Sequence, residues 1–276
     1  MGEPLERDTI FGVTLASQPP LHSLIQSASR ADEPVGDEVS RVFKIRSADS
    51  YGQRSSATVL ISRMYAARGY RTTPLPSQQL PTRVTLTASA NDDTVGTITI
   101  GFDSDEGLHV DELFASETDA LRRAGRKLCE FTKLAMDSVV RSKRVLASLF
   151  HVAYIYGYRV MGLDDLLIEV NPRHVRYYER MLGFEVFGNR RLNPRVNAPA
   201  VLMRLPFSHA RCEIERFGGR PEYSLDRRSL YPHFFSIAEE CSIVGRLRDT
   251  DSGAQSFQGV QPSVGERGDM RNDHHH

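Results

Sequence analysis

The stretch from Asp165 to Phe184, DLLIEVNPRHVRYYERMLGF, constrains the fold of this chain more than any other. Leu166, Leu167, Ile168 and Val170 surround a single Glu. That run has the length and branched content of a buried strand rather than of a helix. It stops at Asn171-Pro172. Asn can cap a helix through its side-chain oxygen, and Pro suits the first helical position, where an N–H has no intrahelical partner anyway. Gly183 can take the left-handed conformation that closes a helix. A new strand is expected from Phe184, so the stretch reads as strand, capped helix, turn and strand.

The rest of the chain repeats this alternation. Arg41 to Arg46 alternates as a first strand, and Ser55 to Arg68 carries Ala57, Leu60, Ile61, Met64, Tyr65 and Arg68 at helical spacing, ending at Gly69. A Pro-rich link, Thr72 to Pro81, precedes a hairpin of Arg83 to Ser89 and Thr94 to Phe102, turned at Asn91-Asp92-Asp93. Ser116 followed by Asp119 fits a helix cap. Leu128 to Asp137 reads as a strand, and Ser142 to Tyr156 as a helix with Val145, Leu146, Leu149, Val152, Ala153 and Tyr156 on one stripe. Two further strands, Phe184 to Gly188 and Ala198 to Leu205, are joined by an Arg-rich loop from Asn189 to Asn197. A last helix is expected near Phe234 to Leu247. The order implies an α/β mixed sheet with helices on its faces.

Charge narrows the partners. Lys+Arg and Asp+Glu balance at 35 each, so no global basic field points to nucleic acid. The signs are segregated: Asn91 to Asp119 holds nine acidic residues and no Lys or Arg, and Ala120 to Phe150 holds eight basic residues. Cys129, Cys212 and Cys241 have neither metal-ligand nor CxxC spacing, so no metal site is expected and a reducing cytoplasm is the natural compartment. No apolar run is long enough to span a membrane.

N-x6-Y-Y-E-R-M-L-G-F, from Asn171 to Phe184, resembles the penultimate strand and last helix of the GNAT acyltransferase fold, with one extra residue between Tyr178 and Gly183. Upstream, CEFTKLAMD resembles the E-x-[ST]-R-[FL]-x-V-D strand of the acyl-homoserine lactone synthases and of their relatives, the long-chain N-acyl amino acid synthases. Arg63-Met64-Tyr65 with Gly69-Tyr70, and Val95-Gly96-Thr97, are similar to landmarks of the same families. The likeness covers roughly Val42 to Leu205 and is closer to the N-acyl amino acid synthases, through NPRHVRYYERMLGF and VNAPAVLM. The link Arg71 to Arg83 has no Asp or Glu, where the lactone synthases carry an acidic pair tied to S-adenosylmethionine.

The resemblance implies attack of an amino acid's α-amine on an acyl thioester, giving an amide. An α-amine with a pKa of about 8 is already partly neutral at pH 7, so a modest base suffices. Strand geometry places Leu128, Glu130, Thr132 and Leu134 on one face, and a carboxylate between apolar neighbours has a raised pKa. Glu130 is thus the candidate base, directly or through water; the competing reading is an interior acid paired with an Arg. Tyr178 matches the position of a Tyr that protonates the leaving thiolate, with Tyr177 a contender. His174 reads as a capping or packing residue. Thr132, Lys133 and Arg63 lie in matched stretches and join Arg195 as expected substrate-binding residues, with Arg190 and Arg191 in the same loop.

The link DSVVRSKR, Asp137 to Arg144, lacks the glycines that cradle the pyrophosphate of CoA in GNAT enzymes. Arg141, Lys143 and Arg144 can instead meet the phosphate and acidic surface of an acyl carrier protein. The expectation is an N-terminal arm over 1–36, a GNAT-like core over 37–206, an extension over 207–250 and a tail over 251–276. Its function would be transfer of a long-chain acyl group from acyl carrier protein, or from acyl-CoA, to an amino acid, with no bound cofactor. The alternatives are an acetyl-CoA-type N-acetyltransferase and a catalytically silent binding module.

Overall fold

The computed structural model describes residues 11–15, 41–137, 142–224 and 228–256. Eight strands form one sheet: β1 (Phe11–Leu15), β2 (Arg41–Ser47), β3 (Arg83–Ala90), β4 (Asp93–Phe102), β5 (Leu128–Met136), β6 (Asp165–Val170), β7 (Glu185–Asn193) and β8 (Ala198–Pro206). Their spatial order is β1-β2-β3-β4-β5-β6-β8-β7. Every pairing is antiparallel except β5 with β6. The N-terminal segment, expected as an arm, thus contributes an edge strand on β2. The β3–β4 hairpin closes through Asn91 and Asp92, both at positive φ, as a two-residue turn of the kind that follows the sheet's twist.

Among the described residues six α-helices cover the sheet: α1 (Tyr51–Ala66), α2 (Asp111–Arg123), α3 (Lys143–Tyr154), α4 (Val175–Leu182), α5 (Phe207–Phe217) and α6 (Ile237–Ser256). A capping box of Ser50 and Gln53 starts α1 four residues before the apolar periodicity does. Helix α2 begins at Asp111, whose carboxylate accepts from the Leu108 N–H at 2.7 Å; Ser116, expected as its cap, lies inside it. Asn171 and Pro172 open a short 3-10 turn before α4, and Gly183 closes α4 at φ 78°. No helix among the described residues is long and apolar enough to cross a membrane.

Two expectations change here. The Arg-rich loop is mostly strand: β7 continues to Asn193, carrying Arg190 and Arg191, and only residues 194–197 turn. Its many charges conceal it because β7 is an edge strand whose outer positions face solvent. Helix α5 follows β8 without a linker, capped at Pro206, and buries Phe207, Ala210, Ile214 and Phe217 beneath a polar outer face.

Alternation along the strands divides the interior. Cys129, Leu166 and Met203 point into the main core under α3, α4 and α5, while Leu128, Leu167 and Leu202 point at Phe114 and Leu121 of α2. The chain after residue 217 returns to the main core. The Tyr231 hydroxyl donates to the Leu182 carbonyl at 2.7 Å, and the Phe235 N–H donates to Nδ1 of His151 at 2.9 Å. That bond leaves the proton of a neutral His151 on Nε2, 3.1 Å from Glu240, which Arg159 also meets at 3.0 Å. Phe234 and Phe235 stack on the imidazole with centroids 4.8 and 5.0 Å away.

Burial pushes the His151 pKa below its ordinary 6.5, outweighing Glu240, which acts the other way. The unfolded chain then binds a proton that the folded one refuses, so stability is full above about pH 6.5 and falls as the pH drops toward the folded-state value. Thermal melts from pH 7.5 to 5 are expected to show a smaller acid-side loss of Tm in His151→Gln than in the unaltered protein.

Candidate active site

Strands β5 and β6 pair for only three residues, Leu128 with Asp165, Cys129 with Leu166 and Glu130 with Leu167. Beyond that point β5 stays with β4 as far as Met136, and β6 stays with β8 as far as Val170. The sheet therefore splits between them. A bulge in β5 marks the split: Lys133 has φ 51°, the β4–β5 register shifts between Thr97 and Thr99, and the Thr97 hydroxyl holds the Lys133 carbonyl at 2.8 Å. A bulge of this kind bends its strand and increases the local twist. The closed end is clamped by Asp165, fully buried, which accepts from Arg126 at 2.6 Å and from Arg204 on β8 at 2.9 Å.

The bulge also corrects the expected face. Glu130 and Thr132 do share the side toward α1 and α2, but Leu134 is rotated into the main core with Met136, and Ala135 replaces it against Leu60 and Ile61 of α1.

Glu130 is not open to the split. Its side chain is 0% exposed, and both oxygens are occupied: Oε1 accepts from the His109 N–H at 3.0 Å and from Arg83 at 3.3 Å, and Oε2 from the Val110 N–H at 3.1 Å. Gly101, its neighbour on β4, makes room, since a Cβ there would lie 3.0 Å from Oε1. Burial pushes its pKa up against these three donors. A base must reach the proton that it abstracts, directly or through one water. The geometry fits an interior acid paired with Arg83 better than direct proton abstraction.

Around Glu130 lies a group of side chains that the sequence pattern does not bring together. The Thr132 hydroxyl is buried with no hydrogen-bond partner among the described residues. Lys133 donates to the Thr73 carbonyl at 2.8 Å, and burial, Arg83 and Arg54 lower its pKa. On the other lip of the split Glu169 accepts from Asn193 and lies 3.4 Å from Arg195, which also reaches Glu112 at 3.2 Å. Burial raises the Glu169 pKa, opposed by Asn193 and Arg195. His109 is held near neutral-imidazole extremes: its pKa falls to about 4, first through burial and then through Arg83, Arg195 and Lys133. Arg83, His109, Glu169 and Asn193 were not singled out by the sequence, because loops and turns bring them here without any local spacing.

The main-core side of the split is aromatic. Tyr178 is turned inward, edge-on to Phe184 at 5.7 Å, while Tyr177 is 40% exposed. Burial pushes the Tyr178 pKa up, so the phenol keeps its proton. Phe131, the first β5 residue beyond the pairing, borders an apolar cavity of about 20 Å³ that Phe150, Leu166, Phe207, Ala210 and Phe234 also line. A larger open pocket of about 440 Å³ between α4 and α5, lined by Glu179, His209 and Arg228, contains none of these groups.

Other expected residues lie apart. Arg63 is 59% exposed and pairs with Asp137 at 2.6 Å at the end of β5. Lys143 and Arg144 are exposed in the first turn of α3, and Arg141 lies outside the described residues. His174 accepts from Arg173 at 3.1 Å, away from the group around Glu130. Among the described residues no cluster of His, Cys, Asp and Glu could hold a metal ion.

The family model of the N-acyl amino acid synthase FeeM matches residues 56–206, more than half of the chain and the whole of the split. This chain belongs to the FeeM family. It is an N-acyltransferase, and the expected GNAT fold holds. The solved structure of FeeM, from uncultured soil microbes, is similar at 29% identity with a TM-score of 0.56, covering 62% of this chain and 94% of that one. A putative N-acetyltransferase from Lactobacillus plantarum aligns at 14% identity and TM-score 0.45, covering 60% of this chain and 98% of its own. The AHL synthase LasI aligns at 9% identity and TM-score 0.43, covering 60% and 90%. No curated protein sequence matches the chain.

Two substitutions separate support from contact in urea denaturation. Glu130→Gln turns an amide N–H₂ toward donors and is expected to cost about 1–3 kcal/mol. Thr132→Val replaces an unpartnered hydroxyl with a methyl of the same shape, and stability is expected to hold or rise by up to about 1–3 kcal/mol.

Proposed function

We propose that this N-acyltransferase moves a long-chain acyl group from a thioester, preferentially on an acyl carrier protein, to the α-amine of an amino acid. One observation carries the reading: a single split in the sheet has an apolar chamber on one side and a group of cations on the other. An extended pantetheine arm carries amides that can pair with the freed backbone edges of β5 and β6, as an added strand would. Its acyl chain would enter beside Phe131 toward α5, and the amino acid would approach from the α1 and α2 side. There Thr132, Lys133 and Arg195 meet the acceptor, with Arg63 at the outer rim.

In the reaction the amine nitrogen bonds to the thioester carbon, the C–S bond breaks, and the thiolate takes a proton. Tyr178, kept protonated by burial, is suited to supply that proton. Glu130 takes a positioning role, fixing the backbone of His109 and Val110 against β5. Lys143 and Arg144, with Arg141 beside them in sequence, give the carrier protein a basic landing point at the start of α3. Free Cys129, Cys212 and Cys241 suit a reducing cytoplasm, where such carriers are charged.

Each buried methylene contributes about 0.8 kcal/mol, so an acyl chain that enters the apolar core beside Phe131 would bind more tightly the longer it is. The small size of the cavity favours a second reading, a short-acyl transferase that uses CoA.

Incubating the purified protein with acyl carrier protein and CoA thioesters from acetyl to octadecanoyl, together with a mixture of amino acids, decides between them by mass spectrometry of the products. Long-chain N-acyl amino acids made faster from the carrier protein are expected. Acetyl products made only from CoA favour the second reading, and no product from any pair favours the silent module. Ala210→Leu, which fills the cavity, is expected to lower kcat/KM for the longest chains by about tenfold, the equivalent of two methylenes, while sparing short ones.

A further inference from the structure

We propose that His109 is the general base of this enzyme, and that the carboxylate of the amino acid completes it by docking among Arg83, Lys133 and Arg195. This rests on the acyl-transfer reading above and names the acceptor subsite within it.

His109 is placed rather than free. Its own N–H and that of Val110 both donate to the Glu130 carboxylate, and the Leu108 N–H donates to Asp111 at the start of α2. Three consecutive backbone donors are thereby fixed, which anchors the main chain that carries the half-buried imidazole. The imidazole itself has no hydrogen-bond partner among the described residues, which distinguishes it from His151 and His174. A ring carried on so firmly held a main chain and left without a partner is suited to meet a ligand.

The charges around it come from every neighbouring element. Arg83 stands at the start of β3, Lys133 at the bulge of β5 and Arg195 in the β7–β8 turn. The acids are engaged: Glu130 by two N–H groups and Arg83, and Glu112 of α2 and Glu169 of β6 both by Arg195. Burial first, and then these three cations, oppose protonation of the ring despite the three acids. An arriving carboxylate would relieve that repulsion and make the imidazole a better proton acceptor. The buried, unpartnered Thr132 hydroxyl, on the Glu130 face of β5, can donate to the same carboxylate. Its orphaned state points to a ligand independently of the charges.

The acceptor arrives as an ammonium. One of its N–H bonds breaks as the proton passes to a ring nitrogen of His109, and the freed electron pair attacks the thioester carbon. The C–S bond then breaks, the nitrogen loses a second proton, and one proton ends on the thiolate while the other leaves to solvent. An amide and a thiol result, and neutral imidazole is restored. Amines without a carboxylate fail to activate the base, so selectivity for amino acids follows from the proton transfer as well as from binding.

The test uses the full chain and two readouts. Ring-labelled His109, followed by NMR, should titrate near pH 4 in the free protein. Its pKa should move up when proteinogenic amino acids are added singly, and stay in place with the matching decarboxylated amines. That measurement needs no acyl donor, so it stands even if the acyl-transfer reading fails. In turnover, His109→Gln should lower kcat by about a hundredfold or more with a small change in acceptor KM, whereas Arg195→Met should chiefly raise that KM. An unmoved His109 titration with every amino acid overturns the proposal, as does a folded His109→Gln enzyme of undiminished kcat. A loss confined to Glu169→Gln also overturns it, by moving the base to the other lip of the split.

Discussion

Everything at the candidate site depends on parallel pairing that stops after three residues. Parallel strands in a helix-covered sheet ordinarily continue side by side, because each freed N–H and C=O must find another partner. Here the chain holds the closed end with a buried Asp165 between Arg126 and Arg204, and opens the other end with a left-handed residue at Lys133. Removing one partner of a buried ion pair costs roughly 3–5 kcal/mol, so the clamp is costly to undo. The bulge acts in the opposite direction, bending β5 toward β4 while β6 remains with β8. The split is thus built into the covalent order of residues on both sides of it.

The second constraint is electrostatic. A carboxylate at zero exposure survives only with its oxygens satisfied, and Glu130 draws in two backbone N–H groups and a guanidinium to achieve this. Its demand shapes the loop before α2, brings His109 to the sheet and draws Arg83 inward. Both oxygens of the acid that looks catalytic in sequence are thus taken up by neighbouring donors. Raised pKa values mark both Glu130 and Glu169, but only Glu169 retains part of its surface.

Much of the architecture was legible because it rests on local rules. The apolar run of β6, the Asn-Pro cap, Gly183 and the β3–β4 turn each specify their conformation within a few residues, and together they fix the element order. What escaped was set by distance. The extent of β7 is hidden by edge-strand charges, and α5 by the lack of a linker after β8. The bulge at Lys133 breaks the period of two on which the face assignment of Leu134 relied. His109, Arg83, Glu169 and Asn193 come from four separate elements, and nothing in their spacing announces that they meet.

The short seam has a mechanical consequence. On one side, β2 to β5 form a leaf stiffened by long antiparallel ladders; on the other, β6, β8 and β7 form a second. Across the seam they share three backbone pairs and the Asp165 clamp, and the buried side chains under α3 and α2 pack on both. Arg195 and Glu169 ride on one leaf, Arg83 and Lys133 on the other, so the angle between the leaves tunes the spacing of opposing charges.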